Sequence, residues 1–310
     1  MSFLSRRLLL SLSLAALGVS AAGAKDLPFD LSPEQPDRAH IGANAEAIAA
    51  IPKEFKFVTP GKFTIGTNPS GPPLATYASD TATVVGADPD IASLIAESLG
   101  LELEIVTVTW ADWPLALQSG KVDAVFSNVG VTEERKEKFD FATYRQGLHG
   151  FFVHNNSPVQ KIAEPKDISG LKIVVGVGTN QERILGKWNE LVLEAGLPPA
   201  ELVYYDDEGT KLLALRAGRV DVMVQPHAQL VLIAERDGDF RKVGVLSAGW
   251  PEKSDVAATF RKGSGLAEPV AIAVNGLLKD GVYARTLARW LVSDEGLEVS
   301  RVNPPGLPKF

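Results

Sequence analysis

The sequence predicts an α/β protein of two lobes built on one plan, and three observations carry that expectation. Short apolar runs alternate with helical patterns along most of the chain, the arrangement that lays helices on both faces of a mostly parallel sheet. The stretch Leu115-Ala-Leu-Gln-Ser-Gly-Lys-Val-Asp-Ala is echoed by Leu213-Ala-Leu-Arg-Ala-Gly-Arg-Val-Asp-Val, with Gly218 standing for Gly120 and Asp221 for Asp123. Six identities in ten positions exceed what a common helix-to-strand junction needs, so the echo reads as a repeated unit. Finally, 310 residues of which 45% are hydrophobic suffice for two medium domains with their own cores.

The chain opens with a segment outside the fold. Arg6 and Arg7 precede an apolar run from Leu8 to Leu17, and Ala22-Gly23-Ala24 supplies small residues for cleavage, so residues 1–24 read as a secretory signal peptide and the mature chain as periplasmic. The run is too short to span a bilayer, which argues against membrane insertion. With no Cys anywhere, neither a lipid anchor nor a disulfide is available. Residues 25–55, with Pro28, Asp30, Glu34 and Pro36, look like a loose arm. A net charge of −7 argues against nucleic acid and anionic membrane as partners.

Order begins at Phe57. Phe63 to Thr67 reads as a first strand that breaks into Asn68-Pro-Ser-Gly-Pro-Pro73, a lip over any ligand held at the strand end, with Tyr77 nearby. Asp88 reads as the N-cap of a helix with Pro89 at its first position. Leu103 to Val108 is the second strand, and Trp110 and Trp113 follow it; Trp110 suits either half-buried core or a flat face for a ligand. After the helix ended by Gly120, Val122 to Phe126 is a short apolar strand that opens into Asn128 to Arg135. Ligands of open α/β sheets are held at the carboxyl ends of strands, so this loop is the first place to look for function. Thr132 can cap the turn that carries Arg135.

Gly147 to Val153 reads as a strand crossing between lobes. Leu171 to Val177 opens the second lobe and ends in Gly176-Val-Gly178-Thr-Asn180 before a helix. The run lacks the third Gly of a dinucleotide site and any following phosphate-binding Lys. The free N–H groups of Thr179 and Asn180 instead suit a small anion such as a carboxylate, beside the plainer reading of a Gly-containing turn. The echo strand ends at Gln225-Pro-His227, and Ser254 to Phe260 looks like the crossing back.

From Gly61 to about Val292 the chain resembles the type II extracytoplasmic solute-binding proteins of ABC importers, in the amino-acid-binding family. The motifs are Gly86-Ala-Asp-Pro-Asp-Ile-Ala, Trp110 through Asp123, Thr132-Glu-Glu-Arg-Lys-Glu-Lys-Phe-Asp-Phe-Ala-Thr-Tyr144, Gly178-Thr179 and Arg261-Lys-Gly-Ser. The resemblance implies two Rossmann-like α/β lobes joined by two hinge strands, with lobe 1 in 56–148 and 257–310 and lobe 2 in 149–256. It implies a monomer that closes on an amino acid or related carboxylate and delivers it to an ABC permease in the inner membrane, with no cofactor, metal or catalytic residue. Arg135 matches the arginine on the ligand carboxylate, Thr179 and Asn180 the amides meeting it from the second lobe, Trp110 the packing aromatic, and Asn128 the carbonyl that meets the ammonium.

Three positions depart from the family pattern. Pro226 replaces an ammonium-binding aspartate, leaving Gln225 and His227 beside it, and Asp206, Asp207 and Glu182 as alternative acids. Gly130 replaces a threonine, and Gly71 an aromatic for which Tyr77 is a substitute. Two rivals remain: an exported dehydratase-like enzyme on the same scaffold, with Glu182 and His227 as candidate acid or base, and a receptor that signals to a sensor kinase. His40, His149 and His154 are dispersed without metal-ligand spacing.

Overall fold

Each lobe is a five-stranded sheet between helical layers, and the two sheets follow the same strand plan. The computed structural model describes residues 27–205 and 207–310, so the signal-peptide reading of 1–24 lies outside the described residues, as does Asp206. Lobe 1 contains α1 (Ala45–Ala49), β1 (Lys62–Thr67), the hairpin β2 (Thr76–Tyr77) and β3 (Val84–Val85), α2 (Ala87–Ser98), β4 (Glu102–Thr107), α3 (Trp113–Gln118), β5 (Ala124–Val125) and β6 (Phe139–Gln146). Lobe 2 runs through β7 (Leu148–His154), β8 (Lys172–Val175), α4 (Asn180–Glu194), β9 (Glu201–Tyr204), α5 (Glu208–Arg216), β10 (Val222–Pro226), α6 (His227–Asp237) and β11 (Phe240–Ser247). The chain then returns to lobe 1 with β12 (Asp255–Arg261), α7 (Ala267–Asp280) and α8 (Val282–Arg289).

The strand order is β4-β1-β5-β12-β6 in one sheet and β9-β8-β10-β7-β11 in the other. In both, three parallel strands are followed by two antiparallel ones, so β4 matches β9, β1 matches β8 and β5 matches β10. The sequence echo has a local cause within this plan. Gly120 and Gly218 end their helices with φ of +76° and +64°, conformations that favour glycine. Asp123 then accepts from Thr64 N at 2.9 Å and Asp221 from Lys172 N at 2.8 Å, so the aspartates tie the start of β5 to β1 and the start of β10 to β8.

The crossings lie side by side. The chain leaves lobe 1 at Gly147 and comes back between Ser247 and Asp255, and Gly147 N donates to Ser254 O while Ala248 N donates to Gly147 O. A β-carbon at Gly147 would sit 2.7 Å from that Ser254 oxygen, which explains the glycine at the closest approach.

Two sequence expectations are corrected here. The arm is not loose: Phe29, Leu31, Ile41 and Phe55 pack on the lobe 1 core, Asn44 caps α1, and Arg38 Nε donates to the buried Asp90 at 2.7 Å. Asp88 is not an N-cap. Gly86, at φ +142°, caps α2 instead, and Asp88 points inward as a fully buried acceptor for Asn128 N. The Gly86 backbone lies against Leu74, a fit that a side chain would prevent, and this moves the helix start back by two residues.

Candidate ligand-binding site between the lobes

The carboxyl ends of the parallel strands of both sheets face one another across the seam, and the loops leaving them carry most of the residues the sequence singled out. Arg135 is the centre. The turn that holds it is capped as expected, since Arg135 N donates to Thr132 Oγ1 at 2.9 Å. Its side chain leaves lobe 1 and reaches lobe 2. Nη1 donates to Gly130 O at 2.9 Å and to Asn180 Oδ1 at 3.1 Å, and Nη2 donates to Gly178 O at 3.1 Å. Its guanidinium carbon lies 5.4 Å from the centre of the Trp110 ring and 5.8 Å from that of Trp113, so the cation rests on a shelf of two aromatics.

This cation is 9% exposed, and among the described residues no carboxylate pairs with it. Its nearest acid, Glu134, is paired with Arg183 of α4 instead. Burial first, and then the neighbouring Arg183, pull the Arg135 pKa down to about 10. The group stays charged at neutral pH, held by neutral oxygens only.

Asn180 begins α4 and meets Arg135 head on. Its Nδ2 donates to Ala248 O at 2.8 Å, and a β-carbon at Gly130 would lie 2.8 Å from that same nitrogen. The absent side chain at Gly130 is therefore the space in which the Asn180 amide sits. Thr179 caps α4 by accepting from Glu182 N through Oγ1. Glu182 in turn accepts from Gly178 N at 2.5 Å, so this acid is already committed to its own loop. Asp207 is likewise engaged as the cap of α5, accepting from Thr210 N at 2.7 Å.

Behind the loop lies a polar cluster that the sequence reading missed. Asn128 has φ +52°, held by Asp88, which accepts from its N–H at 3.0 Å, and by Arg145, whose Nη2 donates to its Oδ1 at 2.7 Å. Arg145 also pairs with Asp88 at 3.3 Å and with Glu295, all three being 1% exposed. Burial raises the carboxyls of Asp88 and Glu295, while the facing guanidinium opposes that rise. The sequence signal was slight, since Arg145 shares β6 with another charge, Asp140, and with the polar Thr143 and Gln146.

The remaining predicted residues are spread around the seam. Asn68 N donates to Ser127 Oγ at 3.0 Å, tying the lip to the end of β5. Gln229 of α6, which the sequence reading did not select, reaches across to that lip, Nε2 lying 3.1 Å from Ser70 Oγ and 3.3 Å from Gly71 O. Gln225 and His227 are buried at the end of β10, and Gln225 Nε2 and His227 Nδ1 have no partner among the described residues. His227 Nε2 lies 3.6 Å from Asp294 of lobe 1. Tyr77 stands 43% exposed on the β2–β3 hairpin and is not among the contacts of Arg135. Among the described residues no cluster of three or more His, Asp or Glu is placed to hold a metal, and no helix is long and apolar enough to cross a membrane.

Known proteins share this fold and part of this sequence. The L-cystine-binding protein TcyJ of Escherichia coli (strain K12) is 29% identical over 238 residues, which is 76% of this chain and 84% of that protein. The structure of an ancestral arginine-binding protein bound to arginine is 28% identical with a TM-score of 0.65, covering 74% of this chain and 98% of its own. An ancestral amino acid-binding protein, AncCDT-1, a precursor of cyclohexadienyl dehydratase, is 26% identical with a TM-score of 0.63 over 74% of this chain and 95% of its own. The model of the bacterial extracellular solute-binding proteins, family 3, matches residues 63–293, and the chain belongs to that family.

Proposed function

We propose that the chain is the periplasmic substrate-binding component of an ABC importer, which takes an amino acid or related small carboxylate between its lobes and delivers it to a permease in the inner membrane. One observation carries this reading. Arg135 is a buried cation at the interlobe seam whose described partners are all neutral oxygens. An unpaired buried charge is costly, and a ligand carboxylate relieves it through two charge-assisted hydrogen bonds that only a guanidinium fork supplies. The relatives named for L-cystine and arginine support an amino-acid ligand.

The test is thermal unfolding of protein refolded to remove carried-over ligand, against amino acids, opines and dicarboxylates. A compound at a hundred times its dissociation constant adds about 2.7 kcal/mol. At about 2–4 °C per kcal/mol for a chain of this size, the shift is easily resolved. Arg135→Ala is expected to abolish it. No shift with any carboxylate contradicts the reading.

The dehydratase reading has one neighbour in its favour, the precursor AncCDT-1. Against it stands the commitment of Glu182 to Gly178 N, which leaves that carboxylate poorly placed as a general acid or base. Incubation with prephenate or arogenate is expected to yield no product.

A further inference from the structure

The family match ends at residue 293, yet the chain beyond it returns to the site. From Ser300 to Asn303 it runs along β6, where Asn303 N donates to Phe141 O and Thr143 N to Arg301 O. It then turns onto the loop that carries Arg135. Leu307 pairs with Thr132 in a parallel bridge: Leu307 N donates to Val131 O at 3.0 Å, and Glu133 N donates to Leu307 O at 2.9 Å. Gly306 N donates to Glu133 Oε1 at 3.0 Å, Lys136 Nζ to Pro304 O at 3.2 Å, and Lys309 pairs with Glu137. Every one of these backbone and ionic ties goes to the lobe 1 segment from Val131 to Glu137.

The side chains go the other way. Leu307 is completely buried, and it joins the lobe 2 core cluster that contains Trp188 of α4. The Phe310 ring lies 6.4 Å from that of Trp250, and the Trp250 ring 5.7 Å from that of Trp188. The tail is thus fastened to lobe 1 by its backbone and to lobe 2 by its apolar side chains. Arg135 makes the same passage from the other side of the same loop, reaching Gly178 and Asn180 at the start of α4.

We infer that residues 304–310 form a third tie between the lobes, a strap that sets the open-to-closed balance and positions the Arg135 loop against α4. Opening the lobes by rotation about Gly147 either draws Leu307 out of the lobe 2 core or drags the Val131–Arg135 loop along with it. Both are unfavourable: the first exposes a buried leucine, and the second breaks the bonds of the loop to Ser254 and Asp255. Leu307 and Gly306 are positioning residues. Gly306 has its place because its backbone lies directly on that of Val131, where a side chain does not fit.

The test needs no ligand, so it fails or succeeds independently of the amino-acid reading. Because the chain has no cysteine, Leu115→Cys and Leu213→Cys place one spin label on each lobe at echo positions that are 67% and 64% exposed. Pulsed electron resonance on the ligand-free full chain then gives the distribution of interlobe distances. With the native tail, the short distances of the closed arrangement dominate. Leu307→Ala is expected to raise the population at longer distances roughly tenfold, Gly306→Ala to act in the same direction, and Leu307→Met to keep the native distribution. If Leu307→Ala and Gly306→Ala lower the melting temperature but leave the distances unchanged, the tail is only a structural brace and the inference is overturned. A variant too unstable to label is replaced by the doubly labelled chain ending at Asn303, for which the same two outcomes apply.

Discussion

At the scale of single residues, one buried arginine is paired with carboxylates and another is not. Arg145 is buried even more deeply than Arg135, but it faces two carboxylates, and the opposed charges hold it firmly protonated. Arg135 faces carbonyls and an amide. The two arginines thereby differ: one fixes Asn128 and the loop, the other meets only neutral oxygens. His149 tells a different story. Both its ring nitrogens are buried without a partner among the described residues, and burial drives its pKa down to about 3. The unfolded chain takes up a proton near pH 6.5, whereas the native chain does so only near pH 3, so stability is lost as the pH is lowered through that window. The limiting slope is about 1.4 kcal/mol per pH unit. His227, lowered by burial and by Lys242, adds in the same sense. His149→Leu is therefore expected to flatten the decline between about pH 6.5 and 5 in urea unfolding. An unchanged slope contradicts a neutral buried imidazole.

Elements show why part of the fold was legible and part was not. The echo was readable because its causes are local: a glycine in the left-handed region after a helix, then an aspartate at a strand start, both demanded by the same junction in each lobe. The two copies are not equal in burden. Asp123 is 1% exposed and also accepts from Val58 N at 2.9 Å, whereas Asp221 is exposed and serves Lys172 alone among side-chain-to-backbone bonds. Asp123→Ala strands two backbone N–H groups and is expected to cost about 3 kcal/mol, against about 1 kcal/mol for Asp221→Ala, both read by urea unfolding. Equal costs would contradict the greater burden placed on Asp123. What the sequence hid were pairings between distant segments. The inward turn of Asp88 depends on Gly86 packing against Leu74 and on Arg145, and Arg145 depends on Glu295. No periodicity in α2 or β6 announces partners so far away. The arm was misjudged for the same reason, because its apolar residues are too sparse to pattern and act only against the finished core. The placing of Arg135 and Asn180 at the seam was readable since each sits at a recognisable turn. Gly130 gained its meaning only when the amide of Asn180 was found in its place.

For the whole molecule, the seam is bridged at several points. Arg135 reaches α4, Glu134 pairs with Arg183, Gln229 meets the lip at Ser70 and Gly71, and His227 approaches Asp294. At the hinge, only two crossings, held side by side at Gly147, join the lobes covalently, so closure depends on what bridges the seam. A ligand that contacts both lobes shifts this balance by its differential affinity for the closed state. The central claim is that the free anchor in that seam is a cation waiting for a carboxylate. The most direct measurement is isothermal titration calorimetry of the ligand-stripped protein with the amino acid that gives the largest melting shift, beside its carboxamide, in wild type and Arg135→Ala. The account predicts binding of the amino acid, a loss of at least about a hundredfold, or about 2.7 kcal/mol, for the carboxamide, and a similar loss for Arg135→Ala. Equal affinity for acid and amide, or full affinity in Arg135→Ala, would contradict it.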